Sequence, residues 1–65
     1  MMEAARELSA FRQMRADVQA EYDAAARTMA DLKAQGKEKT VTFRTAFAAK
    51  LSLGDLLDRY ERYGL

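Results

Sequence analysis

Apolar residues recur at alternating steps of four and three through the first half of the chain. The positions are Ala4, Leu8, Phe11, Val18, Tyr22, Ala25, Met29 and Leu32, and Arg15 occupies the one step without an apolar residue. This heptad spacing places all of them along one stripe of a helix, as in a coiled coil. It predicts a helix over about residues 3–35, ended by Gly36 in the left-handed conformation that commonly closes helices.

A second stripe predicts another helix over about residues 42–63, joined to the first by a turn over 36–41. Its members are Phe43, Ala46, Lys50, Leu53, Leu57 and Tyr60, again at steps of three and four. We expect Thr42 to cap this helix, because a threonine hydroxyl can accept a bond from a free N–H group of the first turn. Val41 would then precede the cap and pack on Ala46.

The end of the second helix and two alternative structures also follow from the pattern. Gly64 is expected to close the helix, with Leu65 folding back onto Tyr60. Residues 40–44 alternate as a short strand would, but a lone strand has no partner in this chain. Residues 52–55 have the spacing of a capping box, which would break the helix in two; we favour a continuous helix, because the apolar stripe keeps its phase there.

Antiparallel packing of the two helices opposes residues whose numbers sum to about 75, because both helices rise equally per residue. Lys50 then faces Ala25, with its ammonium group free to reach toward Glu21. Arg15 falls near Tyr60 and Glu61, where it can either stack on the tyrosine ring or pair with the carboxylate. The apolar pairs expected from this register are Leu32 with Phe43, Met29 with Ala46, Tyr22 with Leu53 and Val18 with Leu57.

The predicted helices differ in length, and the apolar arc of the second is wider than one neighbour can cover. About ten residues at the N-terminus overhang their partner helix, which leaves Leu8 and Phe11 in water. We expect these unmatched surfaces to meet a second copy. The predicted oligomer interface comprises Leu8, Phe11, Phe47, Leu51, Leu56 and Tyr63. The predicted fold is therefore an all-α antiparallel helical hairpin, a single domain over residues 1–65, that dimerises into a four-helix bundle.

This plan resembles the small Rop-type bacterial regulators, which are helical hairpins of about this length that dimerise into a four-helix bundle. The resemblance covers the whole chain as architecture and rests on no residue-level motif, so it carries over no RNA-binding residue. The chain is similar in the same general way to oligomeric helical hairpins among phage proteins that inhibit or sequester components of host defence.

Composition narrows the possible functions. The chain has no His and no Cys, which removes the commonest general base, the thiol nucleophile and the usual zinc ligands. We therefore expect no enzyme activity, no metal and no cofactor. The net charge of +1 indicates neither a strongly basic nucleic-acid binder nor an acidic surface. No apolar run is long enough for a membrane span and no signal peptide is evident, so we expect a cytoplasmic protein that does not bind membranes.

The turn contains the one local concentration of basic and hydroxyl side chains. A possible anion site there comprises Lys37, Lys39, Thr40, Thr42 and Arg44, at the start of the second helix where N–H groups are free. The simpler interpretation is that the lysines complement the C-terminal end of the first helix and a threonine only caps the second. The sequence thus predicts a non-catalytic oligomeric binding protein, a regulator or inhibitor acting through a protein partner; the alternative is an anion-binding module for RNA backbone or a nucleotide.

Overall fold

The computed structural model describes residues 2–64, with side chains from residue 4 onward, and consists of two α-helices packed against each other. Helix α1 runs from Met2–Ala34 and helix α2 from Val41–Arg62. The described residues contain no strand, so the alternative of a strand over 40–44 is wrong. The predicted all-α helical hairpin is confirmed.

Gly36 ends α1 as predicted, in a left-handed conformation with φ of 72°. Its N–H donates to the carbonyl of Lys33 at 3.0 Å, and the N–H of Lys37 donates to the carbonyl of Leu32 at 2.8 Å. This pair of bonds is the Schellman motif, which satisfies carbonyls that the end of a helix leaves without partners. The chain can therefore reverse direction directly after α1.

The cap of α2 is Thr40, so the prediction of Thr42 is wrong. Thr40 has extended backbone angles, and its hydroxyl oxygen accepts a bond from the N–H of Phe43 at 3.2 Å. Only a residue just outside the helix can direct its side chain back at the first-turn N–H groups. Thr42 lies inside the first turn, and Val41, as the first helical residue, is 78% exposed instead of packed on Ala46.

Helix α2 is continuous through residues 52–55, which confirms the preference for an unbroken helix. At its end the N–H of Gly64 donates to the carbonyl of Glu61 at 3.0 Å, and Gly64 has a φ of 73°. The predicted contact of Leu65 with Tyr60 lies outside the described residues.

The seam between the helices is thin. Among the residues with described side chains, the buried apolar ones are Val18, Ala46 and Tyr60. Most of the other stripe residues are half-buried, including Tyr22, Ala25, Met29, Leu32, Phe43, Leu53 and Leu57, whereas Ala4, Leu8 and Arg15 are exposed. The molecule is a rod with extents of 53 × 18 × 15 Å. A hairpin of this shape excludes water from one line of side chains and leaves both flanks of that line open.

The register agrees with the prediction near the middle of the hairpin and differs at its open end. A Cβ atom built on Gly54 would lie 3.4 Å from the ring of Tyr22, and these numbers sum to 76. Nearer the open end of the hairpin, Phe11 packs on Tyr60. Their residue numbers sum to 71, whereas the predicted register requires about 75. Phe11 therefore takes the position expected for Arg15, and the expectation that Phe11 would be left in water is wrong.

Candidate interaction surface

The six residues predicted to form an oligomer interface do not share one face of the hairpin. Leu8, Phe47, Leu51 and Tyr63 are exposed, whereas Phe11 and Leu56 are half-buried. Because successive residues turn by about 100° around a helix, Phe47 and Leu51 lie on one flank of α2 while Leu56 and Tyr63 lie on the other. The apolar surface of the hairpin is thus divided between two opposite faces.

We call the first of these the Phe47 face. It is a groove of about 340 Å³ lined by Tyr22, Phe47, Lys50, Leu51, Gly54, Asp55 and Asp58. The apolar side chains project from the groove, with Phe47 48% and Leu51 57% exposed. Leu8 continues this face along α1, because it lies two heptads before Tyr22 on the same side of that helix.

Charged groups occur within the Phe47 face itself. The Lys50 Nζ lies 5.7 Å from the centre of the Tyr22 ring, at a distance where the cation is attracted to the electron-rich ring face. Lys50 was expected instead to reach toward Glu21. Asp55 and Asp58 line the same groove, one and two turns farther along α2. The face therefore combines an apolar centre with both signs of charge.

The opposite surface, the Ala49 face, is built from small side chains. It is a shallow groove of about 410 Å³ lined by Ala24, Ala25, Thr28, Val41, Thr42, Thr45, Ala46 and Ala49. No charged residue lines this groove among the residues that the structure describes. Along its α1 edge, Asp17, Glu21 and Asp31 share the side of the helix that carries Ala24 and Thr28, at steps of three and four. This face is thus an apolar hollow beside an acidic row.

A third, smaller groove lies at the open end of the hairpin. It measures about 160 Å³ and is lined by Leu8, Phe11, Arg12, Arg15 and Gly64. Leu8 therefore lies beside the end of α2, and the overhang of α1 is confined to the residues before it. Nearby, the hydroxyl group of Tyr60 is buried and has no hydrogen-bond partner within the described part of the chain.

The five residues of the predicted anion site lie at the turn end of the hairpin. Lys37, Lys39, Thr42 and Arg44 are exposed, and the first turn of α2 carries no acidic residue. The hydroxyl group of Thr40 is already engaged, since it donates to the carbonyl of Lys37 at 2.9 Å and accepts from the N–H of Phe43. The basic side chains are thus available to an anion, whereas the Thr40 hydroxyl group already forms the hydrogen bonds that cap α2.

No protein-family model, curated protein or solved structure matches this chain. The similarity to Rop-type regulators accordingly extends to a two-helix hairpin and no further. Within residues 2–64, neither helix combines the length and the apolar character needed to cross a membrane.

Sequence reasoning missed how the side chains of the Phe47 face are arranged. The stacking of Lys50 on Tyr22 and the presence of Gly54 beside that ring depend on how the helices pack. A signal was nevertheless available, because Phe47, Leu51, Gly54 and Asp58 follow one another at steps of three and four and so form a second stripe on α2.

Proposed function

We propose that this chain is a non-catalytic interaction protein that acts as a homodimer, in which two hairpins associate into a four-helix bundle. The observation that carries the proposal is the surface the hairpin leaves in water. Its accessible surface is 5431 Å², whereas a compact folded chain of 7.3 kDa is expected to expose about 4200 Å². The excess of roughly 1200 Å² is larger than the ~800 Å² that each partner buries in a standard protein interface.

The interior of the hairpin supports the same proposal. Among the side chains that the structure describes, no large residue is fully buried, and the most buried are Val18, Tyr60 and Ala46. A small domain needs a substantial buried core, a disulfide, a metal or a partner to be stable. The chain has no cysteine for a disulfide. Association with a second copy converts the half-buried seam into the core of a bundle.

Regulation or inhibition through a protein partner is the activity we propose for this dimer. A bundle of two hairpins still presents outer surfaces on which exposed apolar residues, such as Val41 and Tyr63, occur among charged residues. Mixed surfaces of this kind suit a protein partner better than a lipid surface or a phosphate backbone. The chain also lacks the histidine and cysteine that most catalytic groups require.

Anion binding at the turn is a second candidate, supported by one local observation. The first turn of α2 has exposed bases around it and no acidic residue, which is the reverse of the usual preference at a helix N-terminus. A phosphate or carboxylate placed there would restore that preference. RNA backbone and nucleotides are the two ligand classes that this candidate implies.

Sedimentation equilibrium tests the main proposal. We expect a single species of twice the chain mass of 7.3 kDa at micromolar concentration. A folded species of chain mass would contradict it. A complex of higher order would contradict the four-helix bundle while leaving self-association intact.

A further inference from the structure

We propose that the Phe47 face is the dimer interface and that the twofold axis passes beside Gly54, so that Lys50 of each copy pairs with Asp58 of the other. This inference rests on the proposed function, since it presumes that a dimer forms. It goes further by choosing one of two opposite faces, an antiparallel orientation and a specific pair of charges.

The two apolar faces of the hairpin differ in the size of their side chains and in the charges beside them. The two faces are comparable in size, but the Phe47 face presents Phe47 and Leu51 at its centre, while the Ala49 face is lined by alanine and threonine apart from Val41 at the start of α2. Burial of apolar area drives association, and Phe47 and Leu51 offer far more of it per residue than Ala49 does. The acidic row of Asp17 and Glu21 beside the hollow adds a second difference. Twofold pairing of that face would bring like charges together, which disfavours association.

Gly54 lies inside α2 and lines the Phe47 face. Glycine is less favourable than alanine inside a helix, so its presence in the middle of α2 calls for a reason. The backbone does not supply one, because the left-handed glycines are Gly36 and Gly64 while Gly54 lies within continuous helix. Nor does Tyr22, since a Cβ atom on Gly54 would meet its ring at 3.4 Å, an ordinary contact distance. Gly54 lines the groove of the Phe47 face between Lys50 and Asp58, and because it adds no side chain of its own to that lining, a second helix can approach closely there.

The charged residues on either side of Gly54 are arranged so that two copies can pair them. In an isologous antiparallel pair of α2 helices, residues equally far from the axis on its two sides oppose each other. With the axis at Gly54, Lys50 lies four residues before it and Asp58 four residues after it. Each copy therefore offers a cation opposite an anion of its partner, and the dimer contains the pair twice. The exposed Asp55, which also lines this face, lies one residue from the axis and close to its own symmetry mate, so its repulsion opposes the two attractive pairs. Lys50 and Asp58 cannot pair within one helix, because eight residues separate them by about 12 Å along the axis.

The same axis is compatible with the charges of α1. Tyr22 packs beside Gly54, so the axis crosses α1 close to Tyr22. Arg15 is seven residues from Tyr22, so the two copies of Arg15 lie about 20 Å apart, measured along the direction of the α1 helices. That separation exceeds the screening length of about 8 Å at physiological salt. Repulsion between the two arginines is therefore weak.

A charge-swap cycle followed by sedimentation equilibrium tests the pairing. We expect Lys50→Asp and Asp58→Lys each to raise the dimer dissociation constant about tenfold or more, because each places like charges opposite each other twice per dimer. The double variant, K50D with D58K, should return the constant to within about threefold of the original, because the opposed charges again attract.

The matched control combines K50D with Asp31→Lys. It has the same net charge as the double variant, but Asp31 is exposed on α1 beside the Ala49 face. We expect no rescue in this control. If the control recovers dimerisation as well as the K50D and D58K double variant, net charge and not a specific pair explains the effect, and the inference is overturned. It is also overturned if the double variant stays as weak as the single ones.

Site-directed crosslinking gives an independent readout of the face. The chain contains no cysteine, so a single introduced thiol reports on one position. We expect Leu51→Cys to be joined to its symmetry mate by a short thiol-reactive crosslinker, while Ala49→Cys, exposed on the opposite flank, is not. Efficient crosslinking through Ala49→Cys alone would show that the other face forms the dimer. A wild-type chain that sediments as a monomer would refute the proposed function itself, which separates that failure from a wrong choice of face.

Discussion

The ring of Phe11 meets the ring of Tyr60 edge to face, with centroids 5.2 Å apart and an angle of 75° between the ring planes. This geometry is favoured for aromatic pairs because the positive edge of one ring faces the negative face of the other. The contact joins α1 to α2 near the open end of the hairpin, where the shorter helix is about to end. It therefore determines how far the two helices stay together.

Replacing Phe11 by alanine should destabilise the fold. We expect a loss of about 2 kcal/mol in the free energy of unfolding, less than for a fully buried phenylalanine because Phe11 is only half-buried. Urea unfolding followed by circular dichroism, at one fixed protein concentration, measures the loss. Met14→Ala is the control: Met14 is 50% exposed on the same helix, so its truncation should cost well under about 1 kcal/mol. Equal losses from the two variants would show that the Phe11 contact is not specific.

Removing the buried hydroxyl group of Tyr60, unlike truncating Phe11, is not expected to destabilise the fold. Among the residues that the structure describes, the Tyr60 hydroxyl group finds no hydrogen-bond partner, so the cost of removing this polar group from water is not compensated there. Tyr60→Phe retains the ring that packs on Phe11 and should leave stability unchanged or raise it by up to about 1 kcal/mol. The same unfolding measurement decides. A clear loss of stability would indicate that the hydroxyl group finds a partner in solution.

The cap of α2 is tested by two neighbouring threonines. Thr40→Ala removes the hydroxyl oxygen that accepts from the N–H of Phe43 and should cost about 1 kcal/mol. Thr42→Ala replaces an exposed residue inside the first turn by the best helix former and should be neutral or slightly stabilising. Thermal unfolding of both variants compares them directly. If Thr42→Ala proves the costlier change, the helix begins two residues later than the structure has it.

The anion candidate is tested by titration. Inorganic phosphate, a nucleotide mixture and a short RNA are added to the wild-type chain and to a triple variant with Lys37→Ala, Lys39→Ala and Arg44→Ala. If the turn binds anions, the triple variant should lose at least about tenfold in affinity, and wild-type binding should weaken with added salt. Arg6→Ala with Arg27→Ala, which removes bases remote from the turn, is the control. Equal binding by all three chains, or none by the wild type, rules the site out.

The helices and the turn were predictable because they depend on local rules. The heptad spacing identifies both helices, and Gly36 marks the end of α1 since few other residues adopt a left-handed conformation. The cap was misplaced because Thr40 and Thr42 are the same residue type. The residue that caps α2 is the one whose backbone is extended just before the helix begins, and the identity of the side chain does not indicate which threonine that is.

The register at the open end and the division into two faces were not predictable in the same way. Equal rise on both helices gives one average offset, but the helices shift locally so that Phe11 packs on Tyr60 where Arg15 was expected. The wide apolar arc of α2 correctly indicated more surface than one neighbour covers. Its separation into the Phe47 face and the Ala49 face became evident only once α1 occupied the middle of that arc.

The central claim is that two copies of this hairpin associate, and sedimentation equilibrium of the wild-type chain over a range of micromolar concentrations tests it most directly. We predict a helical species of twice 7.3 kDa that dissociates on dilution and loses helix content as it does so. A well-folded species of 7.3 kDa, with helix content and unfolding midpoint independent of concentration, would contradict it.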